Sequence, residues 1–120
     1  MKLLLLSLCV LLASGVSQAA ERMTDIKARG ELRVCIWPEY YGVSFRNPKS
    51  GVVAGVDADM ARDLAGQLNV SLSFVDSNFA QLKDDLLHNR CDVGMFAVAI
   101  TPARQAVMSF PQPHLFSDVY

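Results

Sequence analysis

The chain has 120 residues, 52% of them apolar, and its 11 Lys and Arg against 12 Asp and Glu leave a formal net charge of −1. The basic residues are scattered and form no stripe, which argues against nucleic acid as a partner. With residues 1–20 set aside as a leader, about 100 remain, room for one small domain.

That leader has three parts. Lys2 starts it, an apolar run follows from Leu3 to Leu12, and small residues lead to Ser17-Gln18-Ala19-Ala20. Ser17 and Ala19 supply the small-x-small pattern that signal peptidase admits. The apolar core falls short of the ~20 residues a membrane-spanning helix needs. A signal peptide over residues 1–20 is expected, cleaved near Ala19 or Ala20. Cys9 lies inside the apolar core after bulky Leu8, so it leaves with the leader rather than serving as a lipid anchor. Two cysteines remain, Cys35 and Cys91. An oxidising compartment permits a disulfide between them, while two buried free thiols are the alternative. His88 and His114 stand alone, so neither a metal site nor a cofactor is expected.

Residues 21–29 read as a short polar helix or arm closed by Gly30. Residues 32–37 form a β-rich run stopped by Pro38. Residues 38–55 are loop-like, punctuated by Gly42, Asn47-Pro48 and Gly51, with Ser44-Phe45-Arg46 and Val52-Val53-Ala54 able to pair as a small hairpin. From Asp57 the period lengthens: Met60, Leu64 and Leu68, with Ala61 and Ala65 beside them, make one helical face. Asp57 is expected to cap that helix and Asn69 to end it. Residues 70–75 alternate as a strand. A second helix sets Phe79, Leu82, Leu86 and Leu87 against a solvated face of Lys83, Asp84, Asp85 and Asn89. Residues 92–100 are nearly all apolar, as a strand covered on both faces would be. Thr101-Pro102-Ala103-Arg104 reads as one more short helix. Strands alternating with helices predict an α/β fold with parallel pairing.

In this order and spacing, several stretches resemble the bacterial extracellular solute-binding proteins of family 3, which serve polar amino-acid ABC importers. The resemblance opens at Gly30-Glu31-Leu32-Arg33-Val34 and runs to Tyr120. Gly55-Val56-Asp57-Ala58-Asp59-Met60 resembles the family signature at its first helix, with Val56 and Ala58 smaller than usual. Residues 79–92 resemble its aromatic-led second helix. Ile100-Thr101-Pro102-x-Arg104, followed by Phe110, Pro113 and His114, resembles the segment that clamps a ligand carboxylate. The resemblance implies two α/β lobes closing like a clam, a type II periplasmic-binding-protein-like fold. Residues 21–120 would then be the first part of lobe 1, a parallel sheet with flanking helices. The lobe would be incomplete, its last residues starting an extended hinge segment toward a second lobe.

Arg104 is the first candidate for ligand contact, because a guanidinium matches the two oxygens of a carboxylate. Thr101 as cap and Pro102 as first helical residue place it in the first turn, where free N–H groups also favour an anion. The competing reading is an ordinary surface arginine. Tyr40 and Phe79 match positions whose rings flank the ligand in relatives, and flat rings suit alkyl chains and cations. Trp37, at the end of the first strand, points to the same edge, where open α/β sheets bind ligands. Core packing is their alternative, strongest for Phe79. The resemblance also shows two departures. Trp37 stands where many relatives carry an acidic residue for the ligand ammonium, and Ala99 stands where they carry Ser or Thr. Glu39 lies nearby but shifted, and Ala99 can offer only backbone groups. Asp57 and Asp59 as paired catalytic carboxylates lose to their role at a helix start.

These readings converge on a periplasmic, non-enzymatic, monomeric receptor that delivers a small carboxylate-bearing solute, such as an amino acid, to ABC importer membrane subunits. Two alternatives share the fold. One is a cyclohexadienyl-dehydratase-like enzyme with Glu39 as its general acid, and the other is a sensory module of a membrane signalling protein.

Overall fold

Residues 18–114 and 116 are described by the computed structural model of the chain. The expected leader lies outside them apart from Gln18, Ala19 and Ala20, and the expected hinge segment apart from Phe116. Helix α1 (Gln18–Arg29) has Glu21 in its first turn and Lys27 and Arg29 in its last, both matched to the helix dipole. It stops at Gly30, whose φ of 72° suits a residue without Cβ. Ile26 is the residue it buries in the core. Arg22 adds bonds from its guanidinium to the carbonyls of Leu86 and Cys91.

Strand β1 (Glu31–Ile36) is the centre of the sheet. It pairs in parallel with β4 (Ser71–Asp76) from Glu31↔Ser71 to Ile36↔Asp76, and with β5 (Val93–Gly94) at Val34↔Val93 and Cys35↔Gly94. The order is β4-β1-β5. Alternation along β1 splits the core in two. Leu32, Val34 and Ile36 join Ile26, Val53, Ala58, Ala61 and Ala65 in one cluster. Cys35 joins Leu82, Cys91 and Phe96 in the other. Between β1 and helix α2 (Val56–Leu68), the antiparallel pair β2 (Phe45–Arg46) and β3 (Val53–Ala54) forms as expected.

Helix α2 buries the expected face but differs from expectation in its start. Ala58, Ala61 and Ala65 are its most buried apolar residues, while Leu64 and Leu68 pack at the margin. Small side chains let the helix lie close to the sheet. Its N-cap is Gly55, and no side chain caps it. A side chain at Gly55, which has φ of 130°, would run into the main chain of Val43. Asp57 is therefore not a cap. Its N–H donates to the Val43 carbonyl at 3.1 Å, and its carboxylate turns inward. The helix ends as expected at Asn69 in the left-handed conformation, with the Val70 N–H reaching back to the Ala65 carbonyl at 3.1 Å.

Helix α3 (Leu82–Leu87) also departs from its expected polar face. Asp85 is buried, accepting from the Ser77 hydroxyl at 2.6 Å and pairing with Arg90. Leu87, expected to pack, is 61% exposed. The expected strand over residues 92–100 is cut to Val93–Gly94. The Met95 N–H still reaches the Cys35 carbonyl at 2.9 Å, but Phe96 then drops into the second core cluster and Ala97 turns left-handed. A Cβ at Gly94 would sit 2.7 Å from Leu82 Cδ1, so the Leu82 side chain packs directly over that glycine. Helix α4 (Pro102–Gln105) closes the described elements. A disulfide joins Cys35 to Cys91, with Cα atoms 5.6 Å apart and both residues fully buried.

Candidate functional site

The carboxyl end of β1 delivers Trp37, and the chain then folds tightly back on itself. The Tyr40 N–H donates to the Trp37 carbonyl at 3.1 Å, and the buried Ser44 hydroxyl donates to the same oxygen at 2.9 Å. This turn sets Tyr40 against Trp37, with ring centroids 5.2 Å apart. Phe79, on the loop between β4 and α3, completes a triangle, 5.6 Å from Trp37 and 6.4 Å from Tyr40. The ring planes meet at 57° to 68°, the tilted and edge-on geometries that aromatic quadrupoles favour. The triangle lies beyond the carboxyl ends of β1 and β4, where open α/β sheets bind ligands.

Phe79 stands 39% exposed while its ring leans on fully buried Phe96 at 4.9 Å. It therefore has a packed back and an open front. Arg104 reaches that ring, its guanidinium carbon 5.3 Å from the centroid. Its Nη1 donates to the Ala99 carbonyl at 2.9 Å. Among the described residues Arg104 has no carboxylate partner. Nothing among the described residues engages its Nε–Nη2 edge, whose two parallel donors make the pattern that fits a carboxylate.

Thr101 caps α4 as expected, its Oγ1 accepting from the Arg104 N–H at 3.2 Å with Pro102 next in line. The helix is only 4 residues long, so the guanidinium rather than a helix dipole supplies the positive charge. Trp37, Tyr40, Phe79, Arg104, Ala99 and Thr101 thus form one connected set. Glu39 is exposed and makes no side-chain bond to it. Asp57 and Asp59 do not act as a pair: Asp59 meets Arg62 at the surface, with 77% of its side chain exposed, while Asp57 is buried.

Sequence reasoning missed two residues here. Phe96 was hidden in an apolar run with no cue that it backs Phe79. Asp57 was visible, but its charge pointed to the solvent-facing end of a helix. Instead Oδ2 accepts from the Ala97 N–H at 2.5 Å, and Oδ1 lies 3.6 Å from His114 Nε2. A separate groove of about 890 Å³, lined by Arg29, Arg33, Leu82, Val107 and Phe110 among others, contains none of the connected set.

The model of the bacterial extracellular solute-binding proteins, family 3, matches residues 32–120. Cyclohexadienyl dehydratase of Pseudomonas aeruginosa is 36% identical over 111 residues, covering 92% of this chain and 41% of the relative. The histidine-binding periplasmic protein of Salmonella typhimurium is 30% identical over 110 residues, covering 92% of this chain and 40% of the relative. An ancestral cyclohexadienyl dehydratase structure matches with a TM-score of 0.72 at 34% identity, over 86% of this chain and 41% of that one. Domain 1 of TmArgBP, in its arginine-bound form, matches with a TM-score of 0.70 at 33% identity, over 75% of this chain and 71% of that one. The chain spans roughly two-fifths of the length of the two curated relatives. The α/β architecture is that of a type II periplasmic-binding-protein lobe. Since the family match runs from β1 to the last residue, the chain belongs to the bacterial extracellular solute-binding proteins of family 3.

Proposed function

We propose that the chain is the first part of lobe 1 of a periplasmic receptor. The receptor captures a small carboxylate-bearing solute, an amino acid first of all, and hands it to an ABC-type importer without altering it. A single observation carries this reading: Arg104 stands over the ring of Phe79, bonded to the Ala99 carbonyl, with a two-donor edge that no described residue takes. A carboxylate on that edge would place the rest of an amino acid over Trp37, Tyr40 and Phe79. Their ring faces suit an alkyl stem and a cationic end group. The names of a histidine-binding relative and an arginine-bound structure support cationic amino acids as first probes. The opposite wall of the cleft would come from a second lobe, as the relatives' greater length suggests. Calorimetry with L-arginine and L-histidine against a panel of neutral amino acids tests the reading. No heat from any amino acid, in a folded protein carrying both lobes, would remove it.

A second reading is favoured by the 36% identity to a cyclohexadienyl dehydratase. Dehydration requires a proton donor to the departing hydroxyl, and Glu39 is the carboxylic acid nearest the rings in sequence. Turnover of a cyclohexadienyl acid that is lost in Glu39→Gln would establish the enzyme. Turnover absent from the parent protein would leave the receptor.

A further inference from the structure

We propose that Asp57 is a positioning residue: its buried carboxylate holds Ala97 in the left-handed conformation and thereby sets the segment that carries Ala99, Thr101 and Arg104. The proposal rests on the binding reading of Arg104 and adds a residue that itself touches no ligand.

Asp57 is 2% exposed, and a carboxylate at that depth is costly unless something needs it. Capping does not explain it, because Gly55 is the N-cap of α2 and the Asp57 N–H is spent on the Val43 carbonyl. The side chain points instead across the fold, where Oδ2 accepts from the Ala97 N–H at 2.5 Å, a contact between residues 40 apart. Three non-glycine residues have positive φ among those described: Asn69, Asn89 and Ala97 at 53°. Asparagine tolerates this region through its short polar side chain, whereas alanine has no such help. A strained alanine persists only where its surroundings over-determine it. The Asp57 bond is that constraint.

The consequence reaches Arg104 in two short steps. Ala99, two residues beyond Ala97, presents the carbonyl that receives Arg104 Nη1, and Thr101, four beyond, caps the Arg104 turn. Were Ala97 to relax into the extended region, the chain would leave the sheet in another direction and both anchors would move. The other oxygen of Asp57, buried and without a hydrogen bond, faces His114 Nε2 at 3.6 Å. One side chain therefore meets the segment before α4 and again after it.

The experiment uses the full chain with four variants: Asp57→Ala, Asp57→Asn, Ala97→Gly, and Asp57→Ala combined with Ala97→Gly. Amide exchange at Ala97, read by NMR without ligand, should speed up at least tenfold in Asp57→Ala. It should stay near the parent rate in Asp57→Asn, which keeps an acceptor. With L-arginine as the probe, Asp57→Ala should bind at least tenfold more weakly. Adding Ala97→Gly should recover most of that loss, because glycine occupies the left-handed region unaided. A merely structural role for Asp57 would give no such rescue. Unchanged Ala97 exchange in Asp57→Ala overturns the proposal whatever the ligand does. Faster Ala97 exchange in a chain whose parent does not bind L-arginine supports the proposal and rejects L-arginine alone. Should Asp57→Ala fail to fold, Ala97→Gly still decides. Relief of a strained alanine should raise its melting temperature, and a fall would contradict the left-handed constraint.

Discussion

Replacing Arg104 by alanine is the sharpest perturbation of the site. Its guanidinium spends one donor on the Ala99 carbonyl, and among the described residues nothing engages the Nε–Nη2 edge, which the proposed carboxylate would take. Charge-assisted hydrogen bonds contribute about 1.5–3 kcal/mol each. Arg104 is half-buried rather than enclosed, so the lower end applies to each of two bonds. Their joint loss is then about 3 kcal/mol, on the order of 150-fold in Kd. Isothermal calorimetry with L-arginine reads this directly. Arg104→Lys should fare little better than alanine, because an ammonium keeps the charge but not the fork. Folding should hardly notice either change, since the structural link is one hydrogen bond near the surface, worth about 1 kcal/mol. Equal binding by the lysine variant, or an unchanged Kd in Arg104→Ala, would refute bidentate carboxylate capture.

Phe79→Leu removes the ring beneath Arg104 while keeping an apolar plug against Phe96. With a cation–π contact of about 0.5–1 kcal/mol plus lost ring contact to the ligand, binding should weaken about threefold to tenfold at nearly constant Tm. Thiol titration of purified, exported protein should find Cys35 and Cys91 unreactive until reduced. Across a separation of 56 residues, the chain-entropy model gives the bridge about 4 kcal/mol. Dithiothreitol should therefore lower Tm by well over 10 °C, roughly as a domain of this size converts energy to temperature. Asp85→Ala should cost about 1–3 kcal/mol in chemical denaturation, because it strands the Ser77 hydroxyl. Its pair with Arg90 contributes little, since 56% of the arginine side chain faces water. A neutral Asp85→Ala would mean that Ser77 finds another acceptor.

What could be read in the sequence was what is decided locally. Gly30 and Asn69 end helices through their own backbone preferences, and Thr101-Pro102 starts α4 through a bond spanning three residues. Tyr40, Phe79 and Arg104 follow from a family pattern and Trp37 from its place at the carboxyl end of the first strand, and the fold brings the four into one connected set. Longer-range causes stayed hidden. Read from the sequence, both Asp57 and Asp85 face outward, because isolated carboxylates normally seek water. Each is buried for a partner that periodicity cannot see: Ala97 for one, Ser77 and Arg90 for the other. The early end of β5 has the same origin. Nothing in a run of apolar residues marks the point where a carboxylate forty positions earlier bends the chain. The face that α2 buries is legible too: Ala61, Ala65, Leu64 and Leu68 all pack against the core, and close approach to the sheet puts the alanines deepest.

The same long-range ties hold the two halves of the site at a set distance. Trp37 follows Cys35 by two residues, and Phe96 follows Cys91 by five, so the disulfide ties β1 to the segment entering β5, and both segments run on into the ring wall. Arg104 lies on the far side of the bend at Ala97, where no strand pairing reaches among the described residues. Its placement must come from side chains: Asp57 on Ala97, Thr101 on the α4 turn, and Phe79 beneath the guanidinium. The ring wall is thus fixed by covalent and sheet geometry and the arginine arm by polar contacts. The proposed ligand, spanning both, would meet one rigid and one adjustable surface. Reduction should therefore loosen the wall and lower stability throughout, whereas loss of Asp57 should release the arm and act mainly on affinity.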